Sequence, residues 1–174
     1  MIVFVLLCVV LGVTLLSCVS DVRALHIPNW HSIVIVGAFA AAFALSPESF
    51  GKWWIHVGAL GFFFIVTYLM FMAGMMGGGD SKLGSALALW VGLKGMIVFI
   101  FWMALVGGII GGLSLWMKKK KPFKSPPAGS WMAAVQEGKN AIPYGVAISF
   151  GAWMALLHTG LITHQLDELF KIIH

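Results

Sequence analysis

The apolar residues of this chain fall into long runs separated by short polar stretches. Residues 2–20 carry no charge, and the first acidic group is Asp21. A shorter run covers 31–46, a third, rich in Phe and Met, covers 53–76, and 83–117 is apolar except for Lys94. A membrane-crossing helix needs about 20 mostly apolar residues, so these runs predict transmembrane spans. The run over 83–117 is too long for one, since as a single helix it would extend about 52 Å at 1.5 Å per residue. Its break is expected at Gly92-Leu93-Lys94-Gly95, where a charge meets two weak helix formers. That leaves a short fourth span at 83–93, a full fifth at 95–117 and a sixth at 142–163. The predicted architecture is all-α: a polytopic membrane protein of about six transmembrane helices, with residues 1–174 forming a single integral membrane domain.

The connections have loop composition. Ser46-Pro47-Glu48 joins spans two and three, and Lys118 to Asn140, which contains Pro122, Pro126 and Pro127, joins five and six. The amphipathic remainder, 164–174, is expected to lie at the interface. No internal repeat is visible.

Composition agrees with a lipid solvent. The chain is 60% hydrophobic and 10% charged, against about 25% charged in soluble domains. A chain of 174 residues still needs a wettable surface, so soluble multi-domain readings drop out. The net charge of +5 is concentrated, with five of the eleven Lys/Arg residues at Lys118, Lys119, Lys120, Lys121 and Lys124. Between two lipid-length runs, such a patch marks a cytoplasmic loop rather than a nucleic-acid site. An outward N-terminus puts Arg23, Lys82, the five-lysine loop and Lys139 inside, leaving Lys52, Lys94 and Lys171 outside. With six spans both termini face outward. The first run lacks the positive n-region of a signal peptide, although Leu15-Leu16-Ser17-Cys18 loosely resembles a lipoprotein cleavage box. Cys8 and Cys18 form neither a CxxC pair nor a zinc-type cluster; both are read as free thiols.

Ionisable groups at membrane depth are costly and tend to be functional. Of the six carboxylates, Glu48, Glu137, Asp167 and Glu168 have ordinary solvated positions, leaving Asp21 and Asp80. In the topology above, both reach the same cytoplasmic depth. Two carboxylates brought close cannot both ionise cheaply, so the pair shares a proton. One can then act as base on a water while its partner donates a hydrogen bond to a scissile carbonyl. Alternatively, each aspartate only marks a helix boundary. Asp80 follows Gly77-Gly78-Gly79, with Gly74 one turn earlier. A glycine-softened, unwound segment ahead of a carboxylate suits the close approach of an extended peptide, although small residues also serve helix packing. After Asp21, Pro28 biases Ile27 to an extended conformation or opens the second helix. His26 and His31 flank Pro28 as candidate substrate contacts, although an interfacial histidine needs no such role. His56, His158, His164 and His174 fall toward the opposite face. No HExxH spacing exists, so no metal site is expected. The topology places no Ser/His pair on one face either.

Taken together, Asp21 with Ile27-Pro28-Asn29, then Gly77-Gly78-Gly79-Asp80-Ser81-Lys82-Leu83, then Ile142-Pro143-Tyr144-Gly145, resemble the type IV prepilin peptidase family of GxGD-type aspartyl proteases. The resemblance covers nearly the whole chain in length, span count and motif order. It implies that Asp21 and Asp80 are the catalytic pair. Gly77, Gly78, Gly79, Lys82, Pro28 and Asn29 would bind substrate or support the site, and no cofactor would be needed. It implies prepilin or pseudopilin leader peptides as partners, cleaved at the cytoplasmic face of the inner membrane, typically just after a glycine. Bifunctional members carry an extra cytoplasmic segment with paired CxxC motifs and methylate the new N-terminus. The chain has no such segment, so it resembles the compact Flp/Tad-type members, without methyltransferase activity; archaeal preflagellin peptidases share the chemistry. Two other classes stay open at this point: a small ion- or proton-coupled transporter or channel subunit using the same carboxylates, and a structural scaffold of a pilus or secretion machine.

Overall fold

The computed structural model describes residues 2–173, with side chains for all of these except Glu168, Ile172 and Ile173. The expectations for His174 and for the Glu168 carboxylate therefore lie outside the described residues. The fold is all-α: α1 (Ile2–Ala24), α2 (Asn29–Leu45), a short 3-10 turn (Pro47–Ser49), α3 (Trp53–Met72), α4 (Gly78–Lys120), α5 (Trp131–Gln136), α6 (Tyr144–His158) and α7 (Leu161–Ile173). Among the described residues, α1, α3 and α4 are long and apolar enough to cross a membrane. The pair α6 and α7, bent by 57°, makes a fourth if taken as one span. At 17 residues α2 is shorter, so the count of six is not reached by length and apolarity alone.

α1 shows how the sequence sets the packing. Its buried positions include Val3, Leu7, Val10, Thr14, Ser17 and Asp21, alternating steps of four and three along one face of a helix. Val5, Val9, Leu15, Leu16 and Val19 are exposed on the remaining faces, as lipid contact requires. The buried stripe turns polar toward its end, and Asp21 is its next position. Thr14 and Ser17 are satisfied locally and across the bundle: Trp153 Nε1 donates to Thr14 Oγ1 at 2.9 Å, and Ser17 Oγ meets His31 Nδ1 at 2.8 Å.

α4 is not one rod. Gly92 has φ 65° and ψ 174°, a non-helical conformation inside an otherwise continuous helix, reached most cheaply by glycine. The arms on either side, 78–91 and 93–120, fold back on each other. Phe63 of α3 packs against Gly84 in the first arm and stacks on Phe99 in the second, with ring centroids 4.8 Å apart. In a straight helix Asp80 and Lys118 would be about 57 Å apart. Instead, Lys118 Nζ bonds Asn140 Oδ1 at 2.8 Å, and Asn140 lines a cavity with Asp80. The break expected at 92–95 is therefore real and falls on its first residue.

Several boundaries differ from the sequence expectation. α3 ends at Met72, not at 76, because Gly74 takes φ +70° and turns the chain. The next helix starts at Gly78 rather than 83, so Asp80 lies inside its first turn. Gly78 and Gly79 are helical; the non-helical segment is 73–77. The 118–140 connection also holds a helical turn, α5, capped by Ser130 Oγ accepting from Ala133 N–H.

Candidate active site

Three helix ends meet at one end of the bundle: the last turn of α1 and the first turns of α4 and α6. Asp21 comes from the first and Asp80 from the second. Both are buried, at 4% and 9% exposure. Glu48, Glu137 and Asp167 are all exposed. Two cavities adjoin the pair. One, of about 210 Å³, is lined by Asp21, Leu25, His26, Ile27, Asn29, Gly77, Gly78, Gly79 and Asp80. The other, of about 340 Å³, is lined by Asp21, Leu25, residues 74–77, Asp80, residues 140–142 and Tyr144. Asp21, Leu25, Gly77 and Asp80 line both, so the carboxylates stand where the two spaces join.

Main-chain amides hold the carboxylates in place. Gly145 N–H donates to Asp21 Oδ2 at 2.7 Å, and Gly77 N–H donates to Asp80 Oδ2 at 3.1 Å. The second contact is half of a capping box, in which an acidic side chain at the third helical position reaches back to the cap amide. Gly77 has no side chain to supply the other half. A cap needs only one carboxylate oxygen. The other, Asp80 Oδ1, is buried without a partner, an arrangement rare enough in folded proteins to call for a reason.

The chain between α1 and α2 shapes the rim. Leu25 closes α1 with φ 49°, a left-handed conformation that is costly for a side-chain-bearing residue. Ser20 Oγ donates to the His26 carbonyl at 2.6 Å and holds the turn. Pro28, at φ −62° and ψ 140°, is the extended residue before α2. Of the residues singled out from sequence, Gly77, Gly78, Gly79 and Asn29 line the smaller cavity with the carboxylates, as does His26. Lys82 lies one turn along α4, and its Nζ donates to Asn29 Oδ1 at 2.9 Å. Pro28 lines neither cavity. His31 is buried and turned to Ser17, so of the two histidines flanking Pro28 only His26 lines a cavity with the carboxylates. Among the described residues, no three His, Cys, Asp or Glu side chains are grouped.

A model of the type IV leader peptidase family matches residues 8–112. The matched stretch is more than half of the chain and holds both buried carboxylates. The chain belongs to the type IV leader peptidase family. It is similar to the prepilin leader peptidase/N-methyltransferase of Bacillus subtilis (strain 168), with 27% identity over 151 residues, 82% of this chain and 60% of the relative. A protein of the same name from Xanthomonas campestris pv. campestris is 40% identical over 58 residues, 33% of this chain and 20% of the relative. The chain thus spans about 60% of the length of the Bacillus relative. No solved structure matches it.

The site geometry directs attention to residues that the sequence did not mark as site residues. Gly145 had been noted only as part of a resembling tetrapeptide, yet its amide holds Asp21. Leu25 and Ile27 also border the site. Their side-chain types carry no chemical signal; what matters is backbone geometry, and only Pro28 and the adjacent glycines hinted at it.

Proposed function

We propose that this protein is a membrane-embedded aspartic endopeptidase that removes leader peptides from prepilins or pseudopilins, with Asp21 and Asp80 as the catalytic pair. The observation that carries the proposal is the convergence of two buried carboxylates on one cavity, each anchored through a single oxygen to a glycine amide, with Asp80 Oδ1 left unpartnered. Held close, such groups share a proton. One carboxylate takes a proton from water, and the protonated partner donates to the scissile carbonyl. The water oxygen bonds to the carbonyl carbon. Collapse of the tetrahedral intermediate then breaks the C–N bond as a proton reaches the leaving amine. The two cavities that share the pair in their lining offer an extended peptide room beside the bond that is cut.

The charge pattern supports a cytoplasmic active face. Arg23 and Lys82 flank the two aspartates, and Lys118 and Lys139 border the same end of the bundle. This distribution satisfies the positive-inside rule in the inner membrane if that end faces the cytoplasm. We carry over the peptidase half of the relatives' printed name and not the methyltransferase half, and assign no cofactor. The test is cleavage of a purified prepilin by the protein in detergent or proteoliposomes. Asp21→Asn and Asp80→Asn each lower processing by about 10²–10⁴-fold while the protein stays inserted and helical. Wild-type cleavage by either variant would overturn the assignment, and ion flux through proteoliposomes without cleavage would point to a transporter.

A further inference from the structure

The first turn of α6 has an uncommon job. The opening N–H groups of a helix have no intrahelical partners, and here each finds a different one. Pro143 has none to offer, Tyr144 N–H donates to the Ile142 carbonyl at 2.9 Å, and Val146 N–H donates to the Pro143 carbonyl at 3.2 Å. The amide between them, on Gly145, is the one given to Asp21 Oδ2, at 2.7 Å. Gly145 also has no room to be anything larger. A Cβ there would sit 2.9 Å from Asp21 Oδ2, 3.2 Å from Asp21 Cβ and 2.9 Å from Ile27 Cδ1. On its other side, Ile27 meets Gly79, where a Cβ would lie 3.2 Å from Ile27 Cβ and 3.2 Å from its carbonyl oxygen. Ile27, 5% exposed, is therefore wedged between two glycines. One is adjacent to Asp80 in sequence and the other is bonded to Asp21.

We infer that Gly145 is a positioning residue for Asp21, and that Ile27, Gly79 and Gly145 together set the separation of the two carboxylates. The inference rests on the aspartic reading of the pair and goes beyond it to a residue outside the stretch matched to the family model. The hydrogen bond fixes one carboxylate oxygen and thereby the orientation of the other. The bare Cα lets that oxygen come within bonding distance of the helix start, whose partial positive charge favours the carboxylate form. A side chain at 145 would displace the Asp21 carboxylate, and misplacement by about 1 Å is enough to cost on the order of 10²-fold in rate.

Packing and positioning make different predictions, and Ile27→Val separates them. Valine lacks Cδ1, so it clears the Ile27 side of Gly145 and leaves the Asp21 side crowded. The full-length protein is purified as wild type, Gly145→Ala, Ile27→Val and the double variant, with Gly61→Ala, whose Cβ meets nothing within 4 Å, as control. Cleavage of a leader-containing peptide is followed for kcat, KM and pH dependence. Gly145→Ala lowers kcat about 10²-fold with KM little changed. The acid limb of its pH–rate profile, which belongs to the pair, moves to higher pH because a donor to the carboxylate form is weakened. Ile27→Val does not restore it. Replacing the 144–145 amide by an ester, with glycolic acid at 145, removes the donor without adding an atom; it gives a loss and a limb shift in the same direction, and it serves if Gly145→Ala fails to fold. The positioning role is overturned if the double variant recovers to within about threefold of Ile27→Val, or if the ester keeps the wild-type kcat and pH profile. The two readings fail separately: a fully active Asp21→Asn sinks the aspartic assignment, whereas an inactive Asp21→Asn beside a wild-type-like ester sinks only the role of Gly145.

Discussion

The two ends of the bundle handle broken helices in opposite ways. At the far end, about 18 Å along α4 from Asp80 by helix rise, the kink at Gly92 disturbs the carbonyls of the preceding turn. His56 answers it: Nδ1 reaches the Leu89 carbonyl at 2.8 Å and Nε2 reaches the Phe50 carbonyl at 3.0 Å. Phe39, Phe50 and Trp90 pack around that ring and one another. A cavity of about 320 Å³, lined by Phe50, His56, Trp90, Gly92 and Lys94 among others, adjoins this end too, but there each ring nitrogen faces a carbonyl. At the carboxylate end, three helix termini also meet, but there the polar groups are only half used. One oxygen of each aspartate is tied to an amide, and Asp80 Oδ1 is buried and unpaired. Both ends adjoin a cavity; what sets the carboxylate end apart is a buried acceptor held in reserve, and that is where chemistry belongs.

The contrast can be broken from either side. The largest effect expected is at the carboxylate end: Asp80→Asn keeps the shape and the capping oxygen but ends proton exchange, so turnover falls by about 10²–10⁴-fold while thermal unfolding in detergent stays near wild type. The far end should show the reverse. His56→Ala removes the ring and the N–H it offers to one of the two carbonyls it faces, and costs on the order of 1–3 kcal/mol of stability, read as a lowered unfolding temperature, with kcat per folded molecule retained. Gly92→Ala forces a Cβ into a φ of +65°, 3.2 Å from His56 Cε1; the left-handed conformation alone costs about 1–2 kcal/mol, again in stability rather than turnover. If either variant loses turnover in proportion to an Asp80 variant without unfolding, the two ends are not separable. Smaller still is Lys82→Ala, which frees the Asn29 side chain at the cavity rim. An exposed hydrogen bond of about 0.5–1.5 kcal/mol predicts a several-fold rise in KM. Lys139→Ala, removing an exposed pair to Glu137 at 3.0 Å, should change neither unfolding nor cleavage, as isolated surface ion pairs contribute little.

Much of this architecture could be read from the chain, and the reasons differ by feature. The apolar runs located the helices because lipid demands both length and apolarity, and Lys94 among glycines located the kink to within a few residues. Asp21 and Asp80 stood out because carboxylates are scarce in such a composition, and the structure places them on one cavity. The glycines before Asp80 misled. Low intrinsic propensity suggested unwound backbone, but Gly78 and Gly79 open a helix, where the carboxylate at the third position supports the first turn and Ile27 leaves no space for a larger residue at 79. α5 was hidden by the prolines ahead of it, although Ser130 is an ordinary cap. Gly145 was least legible of all, because its contribution is an N–H that every residue but proline carries, together with an absence of atoms that only the neighbours reveal.

The fold-back of α4 makes the phase of its first arm a matter of counting. Asp80 and Gly92 are joined by an uninterrupted stretch of helix, so each residue added or removed between them turns the carboxylate by about 100° around the arm and moves it by about 1.5 Å along it. One insertion would aim Asp80 away from Asp21 with every side chain of the site still present. Sequence drift in this arm is therefore free in composition only where it is fixed in length.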